Sequence, residues 1–125
     1  MKSMSKPAAL LAVAVLALSF GARNAVAESG EDVFTDNCST CHSPEAGVDK
    51  QGPSLFGIVG RKAGTEPGYV YTPGTKNSGI TWDAATLDKY IANPQGVIPG
   101  TKMLFPGLKS ADDRKALIGY LSTLH

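Results

Sequence analysis

The sequence predicts a small all-α domain in which three main helices are joined by long glycine-rich loops. Three observations carry this. Apolar residues recur at helical spacing in three segments, each preceded by a capping residue. From Ser43 to Thr81 glycine or proline interrupts the chain every few residues, and no regular element is expected to survive such density. No stretch reads convincingly as a strand. A structureless loop of that length argues against a compact domain unless it lines a large bound group. The domain is therefore expected to be built round a cofactor.

The N-terminus stands apart from the fold. Lys2 and Lys6 precede an apolar run from Ala8 to Phe20, and Ala25-Val26-Ala27 follows, the pattern of a secretory signal peptide over residues 1–27 that is cleaved after Ala27. The apolar run is thirteen residues long, short of the roughly 18 to 20 that span a bilayer. No later stretch looks transmembrane, so no stable membrane insertion is expected. Cleavage leaves residues 28–125 as one domain of 98 residues, exported to the periplasm. Lys2, Lys6 and Arg23 leave with the signal, so nine bases face eleven acids and the charge of +1 becomes −2. Such a surface does not suit nucleic acid.

Ser29 followed by Asp32 resembles a capping box and opens a short helix from about Gly30 to Cys38, carrying Val33 and Phe34. Beyond the glycine-rich stretch, Asp83, with Thr81 as a second candidate, caps a helix whose Leu87, Tyr90 and Ile91 share one face. Asn93-Pro94 ends it. Gly96 to Gly107 reads as loop and contains Met103. Ser110 with Asp113 opens the last helix, where Leu117, Ile118, Tyr120, Leu121 and Leu124 form the apolar side.

The chemistry concentrates in Cys38-Ser39-Thr40-Cys41-His42. Two thiols three positions apart, with an imidazole directly after the second, read as the attachment site of a c-type haem. The sulfurs add to two vinyl groups along one porphyrin edge, and His42 is placed to ligate the iron. A disulfide, a thioredoxin-like pair or half of a zinc site would use the cysteines and leave His42 without a role. Zinc also wants four ligands, and outside the motif the chain offers one other His and no other Cys. A domain of this size usually needs a staple, which the haem supplies.

The second axial ligand is reached by elimination. Met1 and Met4 leave with the signal, so Met103 is the only thioether of the mature chain. Its flanks, Pro99-Gly100-Thr101-Lys102 and Phe105-Pro106-Gly107, form a turn-rich loop rather than an amphipathic helix, which weighs against a core-filling role. His125, the competing imidazole, is the final residue and is expected to be solvated. A His42/Met103 pair raises the reduction potential and closes the iron to substrates.

Taken together the residues resemble the class I c-type cytochromes, on the branch joining mitochondrial cytochrome c to bacterial cytochrome c2. Besides the attachment motif, the likeness rests on Gly52-Pro53-Ser54-Leu55-Phe56-Gly57, Gly60-Arg61-Lys62, Gly68-Tyr69-Val70-Tyr71, Thr81-Trp82 and Asn93-Pro94 through Met103. It implies the small cytochrome c fold wrapped round one covalent haem. It also implies supporting roles: the Pro53 carbonyl accepts from the His42 ring, Arg61, Tyr71 and Trp82 hold a buried propionate, Tyr90 reaches toward the Met103 sulfur, and Thr101 reaches the other propionate or a water. Gly30 and Phe34 match the family's crossing of first and last helices. Thr75 stands where the family often has Asn. Gln95 and Gly96 occupy positions that are lysine in the mitochondrial relatives, leaving Lys50, Lys102 and Lys109 as the local cations and weakening electrostatic steering.

The expected function is that of a soluble, monomeric one-electron carrier rather than an enzyme. Its partners would be redox proteins, such as a cytochrome bc-type complex and an oxidase, reductase or photosynthetic reaction centre. The alternatives are a haem peroxidase or gas sensor with a labile sixth ligand, or a haem subunit of a larger oxidoreductase.

Overall fold

Ser29 begins the helical structure: its hydroxyl accepts the Asp32 N–H at 3.1 Å and donates to the Asp32 carboxylate at 2.7 Å, capping α1 (Gly30–Asn37). This is half of the expected capping box, because the carboxylate answers the hydroxyl and not the backbone. The computed structural model describes residues 27–125 together with Ala8, Ala9, Ala12, Ala14 and Gly21. The expected signal peptide otherwise lies outside the described residues.

The long glycine-rich stretch holds one helical turn that the sequence reading did not expect, α2 (Pro73–Lys76). Thr72 supplies the cap, its hydroxyl accepting the Thr75 N–H at 3.4 Å. Pro73 at the first helical position has its φ already fixed in the helical range and no N–H to leave unpaired. Local punctuation thus started a turn where its density alone suggested none.

Asp83 caps α3 (Ala84–Ala92) in a complete box: its carboxylate accepts the Thr86 N–H at 2.8 Å, and the Thr86 hydroxyl accepts the Asp83 N–H at 3.0 Å. Asn93-Pro94 ends α3 as expected and also starts α4 (Pro94–Val97), because the Asn93 side chain accepts the Gly96 N–H at 3.1 Å. The loop expected from Gly96 onward therefore begins with the end of a helical turn. The last helix is α5 (Ala111–Leu121), with the Ser110 hydroxyl accepting the Asp113 N–H at 3.2 Å. Among the described residues the extended pairing is one isolated antiparallel bridge between Lys62 and Thr81.

α1 crosses α5, and the crossing turns on Gly30. A Cβ there would collide with the Ala116 carbonyl oxygen and lie 2.7 Å from Tyr120 Cβ, so only glycine lets the backbones approach this closely. The Phe34 and Tyr120 rings meet beside it, centroids 5.5 Å apart. Val33, Phe34, Leu117 and Leu121 form a continuous buried cluster with Leu87, Tyr90 and Ile91 of α3. Each such aliphatic side chain contributes about 1.5 to 3 kcal/mol on burial. Arg114 extends the union of α5 with α3, donating to Asp88 at 2.7 Å and to the Leu108 and Lys109 carbonyls. The three main helices thus form one side of a shell, and the glycine-rich loops form the other.

Candidate haem site

Between helices and loops lies a cavity of about 700 Å³. Its wall is largely apolar, with Leu55, Ile58, Leu87 and Leu117 among the lining side chains. Cys38, Cys41, His42 and Met103 all line it. The first three come from the turn that follows α1, held by the Cys41 and His42 N–H groups donating to the Cys38 carbonyl. Met103 comes from the loop after α4 and is half-buried against the core. Residues far apart in sequence therefore share one chamber.

His42 is fixed by its environment. Its Nδ1 lies 2.7 Å from the Pro53 carbonyl oxygen, and because a carbonyl only accepts, Nδ1 must carry the hydrogen. Burial pushes the imidazole below its usual pKa; the Pro53 carbonyl acts in the opposite sense, while the charges of Arg61 and Lys50 push it down further. At neutral pH the ring is therefore uncharged, with a bare lone pair on Nε2. Gly52 makes the fit, since a Cβ there would lie 2.6 Å from Nδ1 and 2.9 Å from Nε2.

The two thiols are free in the structure. Burial, aided by Cys41, pushes the Cys38 thiol up to about 11. Redox-active cysteines depend on a lowered thiol pKa, which is the opposite of the shift at Cys38.

A second set of residues supplies polar groups to an otherwise apolar wall. Arg61, Tyr71 and Trp82 all line the cavity. The Arg61 guanidinium donates to the Ser54 carbonyl and the Glu66 carboxylate, each at 2.8 Å, leaving further N–H groups. The Tyr71 hydroxyl accepts the Glu66 N–H at 3.2 Å. Trp82 is buried on the same wall and brings an indole N–H to it, as Tyr71 brings a hydroxyl. Several donors on one wall of an apolar cavity match a group that is flat, greasy and acidic at its edge. A haem with its propionates has that chemistry, so the residues present fit it.

Tyr90 and Thr101 meet each other: their hydroxyl oxygens lie 2.7 Å apart, and the Thr101 hydroxyl accepts the Met103 N–H at 3.3 Å. Their polar groups thus brace the loop carrying Met103. Thr75 is buried on the cavity wall with its hydroxyl 3.2 Å from that of Thr72. His125 lies exposed at the surface.

Two contributors were not singled out from sequence. Gln51 accepts the Tyr69 hydroxyl at its carbonyl, 2.6 Å away, closing the loop over the cavity rim. Glu66 pairs with Arg61. The signal for Glu66 was present, an acid midway between Arg61 and Tyr71, but in sequence it looks like any loop carboxylate.

A helical shell enclosing two thiols, a neutral imidazole and a thioether in one apolar chamber defines a small all-α haem-binding class. The family model described as Cytochrome c matches residues 27–125. "Cytochrome c2 iso-2" of Magnetospirillum molischianum is 56% identical over 87 residues, covering 70% of this chain and 90% of that protein. "Cytochrome c" of Euglena viridis is 44% identical over 98 residues, 78% of this chain and 96% of its own. Among solved structures, "cytochrome cH from Methylobacterium extorquens" superposes with a TM-score of 0.70 at 41% identity, covering 75% of this chain and 94% of that one. The chain belongs to the cytochrome c family. It is an electron-transfer protein, not an enzyme, and its cofactor is one haem c joined through Cys38 and Cys41.

Proposed function

We propose that the chain is an exported, soluble periplasmic carrier whose haem iron is ligated by His42 and Met103. The haem supplies reversible one-electron chemistry at its iron. The observation that carries the reading is that Met103 lines the same cavity as Cys38, Cys41 and His42. Pro53 holds the His42 ring in the tautomer that leaves Nε2 bare, which fixes a ligand's direction in advance. Tyr90 and Thr101 hold the Met103 loop, and the apolar wall excludes water. Arg61, Tyr71 and Trp82 direct donors at a carboxylate that would otherwise be costly to bury. His42 and Met103 would hold the iron from the protein and leave no open position for a substrate, so the site would exchange electrons alone.

The domain follows the same reading, with residues 1–27 removed on export and residues 28–125 forming the mature carrier. Donor and acceptor are membrane or periplasmic redox complexes, a cytochrome bc-type complex on one side and an oxidase, reductase or reaction centre on the other. Such encounters are small and transient. Near-infrared absorption of the purified ferric protein tests the ligand set. A weak sulfur-to-iron band is expected in the wild type and lost in Met103→Ala. Absence of the band from the wild type, or its persistence in the variant, overturns the assignment. Intact-mass measurement of the periplasmic protein tests the processing: a chain beginning at Glu28 with one haem added is expected.

A further inference from the structure

The Arg61–Glu66 pair stands out against the rest of the molecule. Arg61 lines the cavity, and its Nη1 lies 2.8 Å from the Glu66 carboxylate, the two side chains being 15% and 12% exposed. The other ion pair among the described residues, Arg114 with Asp88, joins α5 to α3 and leaves its acid 47% exposed. Glu66 is anchored twice. Its carboxylate meets Arg61, and its backbone N–H donates to the Tyr71 hydroxyl at 3.2 Å. Both partners are cavity residues.

Resting on the haem-carrier reading, we propose that Glu66 is a positioning residue that tunes the reduction potential by neutralising Arg61 from behind. Reduction takes one electron from a redox partner and removes one positive charge from the cofactor. A fixed cation at the wall favours the reduced state, and a fixed anion the oxidised state. Arg61 places a cation at the cavity wall beside the propionate it would hold, where the effective dielectric is low and charge acts strongly. Glu66 adds an anion to that group, and its effect is durable because partly buried pairs are screened far less by salt than exposed ones. Glu66 also aims its partner: with one edge of the guanidinium held by Glu66 and Ser54, the remaining N–H groups keep one orientation. A glutamate in this loop therefore sets a lower potential than a neutral residue would, with no change to either axial ligand.

The test is redox titration of the purified haem-loaded protein and three variants. Glu66→Gln keeps an oxygen that accepts from Arg61 and removes the charge, so its midpoint is expected to rise. Glu66→Asp keeps the charge and is expected to stay closer to wild type than to Glu66→Gln. Asp112→Asn removes an exposed acid of α5 as a control for net charge, and its smaller shift is expected to vanish in high salt while that of Glu66→Gln persists. The proposal is overturned if Glu66→Gln leaves the midpoint unchanged, if its shift matches that of Asp112→Asn, or if Glu66→Asp and Glu66→Gln shift together, which would mark packing rather than charge. If Glu66→Gln fails to fold, a Glu66→Asp midpoint displaced from wild type by as much as that of Asp112→Asn, or more, overturns it equally. Failure of the carrier reading is separate, and would show as a wild-type protein without the haem spectrum or the near-infrared band.

Discussion

The hydroxyl oxygens of Tyr90 and Thr101 lie 2.7 Å apart in the protein interior, joining α3 to the loop that carries Met103. Thr101 also accepts the Met103 N–H, so its single oxygen serves both a side chain and the backbone of the proposed ligand. Thr101→Val keeps the shape and leaves both groups without a partner, which should cost about 1 to 3 kcal/mol. Tyr90→Phe removes one hydrogen-bond partner and should cost less, about 1 kcal/mol. Guanidinium denaturation of the haem-loaded protein reads both, and equal losses would show that the Thr101–Met103 link contributes nothing.

The crossing of α1 and α5 gives a paired prediction. Gly30→Val forces a branched side chain into the Ala116 carbonyl and should destabilise by about 1 to 3 kcal/mol. Gly119, on the exposed side of α5, has nothing within 4 Å of a built Cβ. Gly119→Ala should stabilise by about 0.5 to 1 kcal/mol through helix propensity alone. Thermal melts of the two variants should move in opposite directions.

Asp83 gives the acid dependence. Its carboxyl is held below the usual range, first by the Thr86 backbone N–H and then by the Thr86 hydroxyl. A depressed carboxyl contributes stability that is complete above its unfolded pKa, near 3.9, and is lost as pH falls through the lower folded value. Asp83→Asn retains a capping oxygen and loses that titration. Its melting temperature should therefore fall less steeply than wild type between about pH 5 and pH 2; parallel slopes would remove Asp83 from the acid response.

Partner reactions should depend weakly on salt. Lys50, Lys102 and Lys109 each donate their ammonium to backbone carbonyls, of Ser39, Val70, and Ala92 with Pro106. Gln95 and Gly96 add no charge. Near the cavity the surface is also apolar, with Leu104 88% and Val70 73% exposed. Stopped-flow electron exchange with a purified redox partner should slow modestly with added salt, and a steep fall would restore charge steering as the dominant force.

What could be read in advance follows a physical division. Adjacent residues declared themselves: Cys38 to His42 named the cofactor, Asp83 began a helix, and Asn93-Pro94 ended it. Gly30 was expected at the crossing of the first and last helices through the family resemblance, and the Ala116 carbonyl supplies the physical reason. One-turn helices such as Pro73–Lys76 have too few residues to show a period, so α2 was invisible beneath its own proline and glycine. Glu66 and Gln51 were missed because their roles depend on which loop atoms face the cavity. Tyr90 was expected by resemblance to reach toward sulfur; that its hydroxyl meets Thr101 takes coordinates to see.

The union of Gly30 with Ala116 also orders events in time. The shell's first wall is made early in synthesis and its last wall at the far end of the chain, so the interior cannot shut until α5 has arrived. Non-local closure of this kind slows folding. The glycine at the start of α1 also sets how closely the helix at the other end of the domain can come, and with it how tightly Leu117 and Leu121 wall the chamber.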